Sequence, residues 1–223
     1  MDDRKRSLRT LGSGLLIVLG LCAFGASSAQ AEGEWRINGA KLTGEEELTG
    51  LVADTVEHLF LLPSLGLAVH CKVELWVGVK LLASGESRGT HRYDECRSTF
   101  SGKEQSSCNP PSIEFKFKSL LLLHNKKTYL LFEPLEGGAF GEIKFPETCA
   151  FAEAGKVSGS YVMECVEPAS CETEVVVRQM VLASTALFPS DLMKMGASPL
   201  TMDGRELTEL FGANIGKAFA AIG

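Results

Sequence analysis

The sequence offers no apolar run long enough to cross a bilayer as a helix. The clearest candidate, "LLIVLGLCAF" at 15–24, is about ten residues long, where a hydrocarbon core of roughly 30 Å needs about 20. A dense Lys/Arg cluster is also missing: 22 basic side chains face 28 acidic ones, a formal net charge of −6. Such a chain repels phosphate backbones and anionic membrane surfaces, so neither is an expected partner. The short paired spacings that hold a tetrahedral metal, C-x-x-C or H-x-x-x-H, do not occur. His58, His70, His91 and His124 show no i, i+2 or i, i+4 spacing, and a site using them would have to be assembled from separate strands. No metal, cofactor or catalytic residue is therefore expected. No repeat and no linker points to a second domain.

The first thirty residues, by contrast, are strongly patterned. Arg4, Lys5, Arg6 and Arg9 precede the apolar run, and small residues follow it up to Ala29-Gln30-Ala31. That order predicts a secretory signal peptide over 1–31, cleaved after Ala31. It leaves a single exported domain over 32–223, without a transmembrane span, in an extracellular or cell-envelope location. Cys22 is not expected to be a lipid attachment site, because Leu21 stands where a small residue would be wanted. Twin-arginine export is not expected either, since no two arginines adjoin in "DDRKRSLRT".

Of seven cysteines, the segment 32–223 keeps Cys71, Cys96, Cys108, Cys149, Cys165 and Cys171. An even set in an exported chain reads as a disulfide framework. Antiparallel sheets bring chain neighbours together, which favours Cys71–Cys96, Cys108–Cys149 and Cys165–Cys171, although many other pairings remain open.

The dominant hydrophobic period is two. In "KVELWVGVKLL" the residues Val73, Leu75, Val77, Val79 and Leu81 alternate with Lys72, Glu74, Trp76, Gly78 and Lys80, which places Glu74 and Trp76 on the outer face of a half-buried strand. "IEFKFK" sets Ile113, Phe115 and Phe117 against Glu114, Lys116 and Lys118. "SLLLL" at 119–123 and "TYLLF" at 128–132, separated by His124-Asn125-Lys126-Lys127, read as a hairpin. Turn clusters at short intervals, such as "PSLG" and "EPLEGG", complete the expectation of an all-β fold, an antiparallel sandwich or barrel-like domain stapled by disulfides. One segment is ambiguous. "TGEEELTGLVADTVEHLFLL" has apolar residues at helical spacing and a possible capping box of Thr43 with Glu46. Gly50 and the β-branched residues favour a strand at about 54–62, with Glu45-Glu46-Glu47 as a solvated face or turn.

"EWRINGAKL", "LGLAVHC", "LLFEPLEGGAFGEI" and "GKVSGSYV" together resemble a group of uncharacterised secreted, cysteine-paired β-rich proteins of soil actinobacteria. The resemblance implies an exported β domain with no assigned activity, and it supplies no catalytic residues.

Three motifs suggest chemistry on paper. Gly85-Glu86-Ser87-Arg88-Gly89 fits the G-x-S-x-G pattern of a hydrolase elbow, with Asp94 and His124 in a permissible order. A polar, alternating stretch follows it instead of an amphipathic helix, so the reading is a turn, with Ser87 carrying an exposed hydroxyl. "GANIGKA" at 212–218 has three residues between its glycines and Ala218 where Ser or Thr would hold magnesium, so it is no phosphate loop. His70, beside Cys71, is the most suggestive histidine, although an ordinary strand residue accounts for it. The functional expectation is a non-enzymatic exported domain with a binding or structural role, its envelope or extracellular partner unspecified. A carrier with an apolar cavity, or a secreted serine hydrolase using Ser87, are the alternatives.

Overall fold

The computed structural model describes residues 33–52, 57–125, 127–167, 170–182 and 193–222. The expected signal segment, Cys22 included, lies outside the described residues. Among the described residues there is no α-helix, only strands joined by turns and short 3-10 segments. In chain order the strands are β1 (Glu34–Ile37), β2 (Ala40–Lys41), β3 (Glu45–Val52), β4 (His58–Leu62), β5 (Leu67–Leu82) and β6 (Glu86–Phe100). There follow β7 (Lys103–Glu104), β8 (Ile113–His124), β9 (Lys127–Pro134), β10 (Gly141–Ile143), β11 (Gly155–Ser158) and β12 (Tyr161–Glu167). The last are β13 (Val177–Leu182), β14 (Lys194–Met195), β15 (Ser198–Pro199), β16 (Thr201–Asp203), β17 (Arg205–Leu210) and β18 (Phe219–Ile222).

Eight of these close into an antiparallel barrel. Its order is β5, β3, β17, β13, β12, β9, β8, β6, and β6 pairs back onto β5. Closure leaves none of these eight strands as a free edge, although the short β16 and β7 remain outer strands of the same sheet. The ambiguous segment is strand on both sides of residues 53–56, which lie outside the described residues. β3 pairs with the second half of β5 and β4 with its first half, so the two run in line along one neighbour. The strand expected at about 54–62 is described from His58 onward, and the Glu45-Glu46-Glu47 run is the start of β3. Ladders to β5 and β17 satisfy the β3 backbone on both sides, and local helical spacing does not compete with that.

Strict alternation predicts the face of β8 correctly, with Ile113, Phe115 and Phe117 buried. It fails on β5. Glu74 and Trp76 point inward and are buried, while Leu75 and Val77 are exposed at 36% and 49%. The cause is a pair of irregularities. Between the inward pairs Cys71↔Cys96 and Glu74↔Tyr93 two residues intervene on each strand, one of them Glu95 at φ 52°, so both strands change phase together. Then Gly78, at φ 58°, begins a bulge in which the ladder slips between Val77↔Thr90 and Lys80↔Arg88. Phase shifts again, and Val79 and Leu81 return to the interior. Gly89 lies opposite the bulge, where any Cβ would collide with Val79.

The interior is filled with rings. Phe60, Tyr93, Phe115, Phe117, Phe132 and Tyr161 contact one another in chains of edge-to-face and stacked pairs, with centroids 4.7–5.8 Å apart. β1 and β18 pair as a small sheet at one end, where buried Trp35 donates its indole N–H to the Glu86 carbonyl at 3.0 Å. Buried Arg178 fastens that end further, donating to the carbonyls of Ser170, Thr173 and Phe219. Near the other end, β10 packs on β8 through the Lys116 N–H to Phe140 carbonyl bond. The cysteines are joined as Cys71–Cys96 across β5 and β6, Cys108–Cys149, and Cys165–Cys171.

The G-x-S-x-G stretch is where the hairpin turns and β6 begins. Gly85 closes the turn at φ 84°, its N–H bonded to the Leu82 carbonyl, and a strand follows. Ser87 is not exposed: it faces inward at 1% exposure, its hydroxyl 2.6 Å from that of Ser119, its cross-strand neighbour. Ser87→Ala strands the Ser119 hydroxyl in the interior and should cost about 1–3 kcal/mol. Ser87→Ala with Ser119→Ala removes both polar groups and should recover much of that loss in chemical denaturation.

Candidate functional site

The barrel interior contains a second kind of core, made of ionisable groups. His58 opens β4, Glu74 follows the first phase change of β5, and Glu206 lies on β17, which pairs with β3. All three are about 1% exposed. His58 Nε2 lies 2.8 Å from Glu74 Oε2, close enough for an ion pair but without hydrogen-bond alignment. His91 of β6, fully buried, brings Nδ1 to 3.4 Å from Glu74 Oε1, and the Tyr161 hydroxyl lies 2.9 Å from the same nitrogen. Tyr93 stands 3.4 Å from it. Trp76 stacks on His91 with centroids 4.6 Å apart.

Gly204 makes this arrangement possible on the β17 side. A Cβ there would run into the His58 ring, so the glycine between β16 and β17 is the space that the imidazole occupies. The alternation that seemed to turn Glu74 outward is undone by the phase change beside the Cys71–Cys96 bridge.

Burial dominates the electrostatics. It pushes the Glu74 carboxyl up to about 8. Glu206 is raised well above the usual carboxylate range, first by burial and then by the neighbouring Glu74 charge. Burial lowers His58, opposed in part by the Glu206 charge, and lowers His91 further, with the His58 charge adding to the effect. Tyr93 and Tyr161 are held firmly protonated by burial. Dehydrated carboxyls and imidazoles thus resist charging together. His58, Glu74 and Glu206 each offer a ligand atom, all within 4.8 Å of one another.

The residues singled out from sequence are scattered. Asp94 pairs with Arg92 at 2.9 Å and His124 sits at the β8–β9 turn beside Asn125, while Ser87 bonds Ser119; no triad is assembled from them. His70 lies on the outer face, 3.4 Å from Glu57. "GANIGKA" begins with the short 3-10 turn Gly212–Asn214, its Asn214 bonded to Glu46. His58 and His91 were visible as histidines but not as neighbours. Glu74 and Glu206 were two acidic residues among many. The one local hint was Glu74 between the apolar Val73 and Leu75 in β5.

The buried groups make stability depend on pH in a defined sense. Glu74, raised above its unfolded value of 4.5, contributes stability that is fully present below that value and lost as pH rises through about 8. His58, lowered from 6.5, works in the opposite sense and loses stability as pH falls below that value. Above 6.5 the carboxyls act alone. The melting temperature of chelator-treated protein should therefore fall toward about pH 9, and Glu74→Gln should flatten the decline. Comparison of this chain with protein-family models, curated proteins and solved structures finds no match.

Proposed function

We propose that this protein is an exported, non-enzymatic β-barrel that serves as a binding or structural component at the cell envelope or outside the cell. The observation that carries this reading is the placement of its reactive groups. Ser87, His58, His91, Glu74 and Glu206 are all at most 1% exposed, whereas an acid, base or nucleophile must come within hydrogen-bond reach of its substrate. The interior that a carrier would leave open is occupied by edge-to-face and stacked rings.

Although Leu75 and Val77 are exposed on the neighbouring β5, the outer faces of β6 and β8 carry charge. Arg88, Arg92 and Lys116 are exposed there, and Lys118 pairs with Glu133 at 3.3 Å. A ring-filled interior with charged side chains on the outer faces of β6 and β8 is unlike the continuous apolar outer band of a lipid-facing barrel, and no helix among the described residues is long and apolar enough to cross a membrane. Three disulfides suit an oxidising compartment. Contact through the outer surface is the mode of action that remains.

Expressed in a bacterium with a functional export pathway, the chain should accumulate outside the cytoplasm, begin after Ala31, and react with no thiol probe until reduced. Cytoplasmic retention with two or more labelled cysteines would overturn the export reading. Fluorophosphonate probes should leave Ser87 unmodified, and specific labelling there would overturn the non-enzymatic one.

A further inference from the structure

His58, Glu74 and Glu206 set a charge problem that no basic side chain answers. Two carboxyl groups lie in a dry interior. The ion-pair partners of Glu74 among the described residues are two imidazoles, His58 and His91, and Glu206 faces His58 without closing an ion pair. The buried guanidinium among the described residues, Arg178, is committed to three backbone carbonyls elsewhere. Buried carboxylates persist when they are paired with a cation or bound to a metal.

The polar atoms are also unsatisfied. Both oxygens of Glu74, Oε2 of Glu206 and Nε2 of His58 are sealed from solvent, and their polar neighbours are one another, Tyr93 and Trp76, with no well-aligned hydrogen bond closing among them. Four such atoms in one place are unusual, since buried polar groups are nearly always partnered. The three residues that carry them converge from three different strands, and the Nδ1 edge of His58 is seated against Gly204, which leaves Nε2 turned to the carboxyls.

We propose that His58, Glu74 and Glu206 bind one first-row divalent cation inside the barrel. A dication with two carboxylates and one neutral imidazole sums to zero charge, which is what a dry interior tolerates. Ligand atoms around a zinc ion with bonds of about 2.0–2.2 Å stand roughly 3.3 Å apart at tetrahedral angles. The separations here, 2.8 Å between His58 and Glu74 and all within 4.8 Å, bracket that value. One imidazole with two carboxylates is a mixed nitrogen–oxygen set suited to zinc or manganese, and it lacks the thiolates that select softer ions. His91, beside Glu74 and bonded to Tyr161, orients the carboxylate from outside the ligand set. The site is closed to solvent, so the ion enters as the barrel forms. The proposal does not depend on the surface role described above.

The test is refolding of the full exported chain, disulfides intact, from guanidinium with Zn2+ alone, Mn2+ alone or chelator. After gel filtration, one of the two metals should remain at about one equivalent per chain by mass spectrometry. The metal-loaded protein should melt at least about 5 °C above the chelator-treated form. X-ray absorption at the metal edge should report one nitrogen and otherwise oxygen donors. His58→Gln and Glu206→Gln should each abolish retention, while His70→Ala on the outer face should keep it. Less than about half an equivalent of either metal in wild type would overturn the proposal, leaving the carboxyls to hold protons instead. So would retention by His58→Gln with an unchanged spectrum. If the variants fail to fold, the wild-type stoichiometry and spectrum decide: sulfur donors, or no nitrogen donor, count against the site.

Discussion

The pairing of β5 with β6 holds the molecule closed. These are its two longest strands, adjacent in the chain, and their ladder is the seam at which the sheet meets itself. It runs from Leu67↔Phe100 to Leu81↔Ser87 and carries the Cys71–Cys96 bridge between two directly opposed residues. Because the seam is a local hairpin, the closing contact is low in sequence separation although the barrel is not. Removing it would expose two long edges and open the ring-filled interior to water.

The same seam is where regular alternation breaks, and the chemistry of the interior follows from that. A strand of uniform pleat would have put Leu75 and Val77 inside and Glu74 and Trp76 outside. The paired phase change near Glu95 and the Gly78 bulge exchange them. A carboxyl thereby enters the barrel at the level where β4 and β17 bring His58 and Glu206. The dehydration of these groups, and not any one strong contact, sets their proton affinities. Tyr93, Tyr161 and Trp76 form the aromatic wall that keeps water away.

Much of the architecture was legible in the sequence. The period-two segment over 113–118 lies in the structure as read because its two faces differ in polarity, and the hairpin at His124–Lys127 does so because a polar turn separates two apolar runs. The cysteine pairs between chain neighbours are those the structure joins. What the sequence could not convey was phase. Gly78 could be a bulge or merely a small residue on an outer face, and Glu95 in a left-handed conformation has no compositional signature. The Ser87 hydroxyl was misplaced for a related reason: the turn ends at Gly85, two residues earlier than the motif suggests. His58, Glu74 and Glu206 are separated by 16 and by 132 positions in the chain, and only the closed topology makes them neighbours.

The pairing of β1 with β18 sets Glu34 beside Ile222, at the end of the barrel that Trp35 covers. Gly33 and Ile222, the first and last described residues, both lie at that end. A tether on either side, whether a linker, an anchor or a fused module, would hold the barrel in the same orientation. It would present the opposite end, with the Cys108–Cys149 loops, to the surroundings. Both ends of the described domain therefore share one pole of the barrel, and the Cys108–Cys149 loops lie at the other.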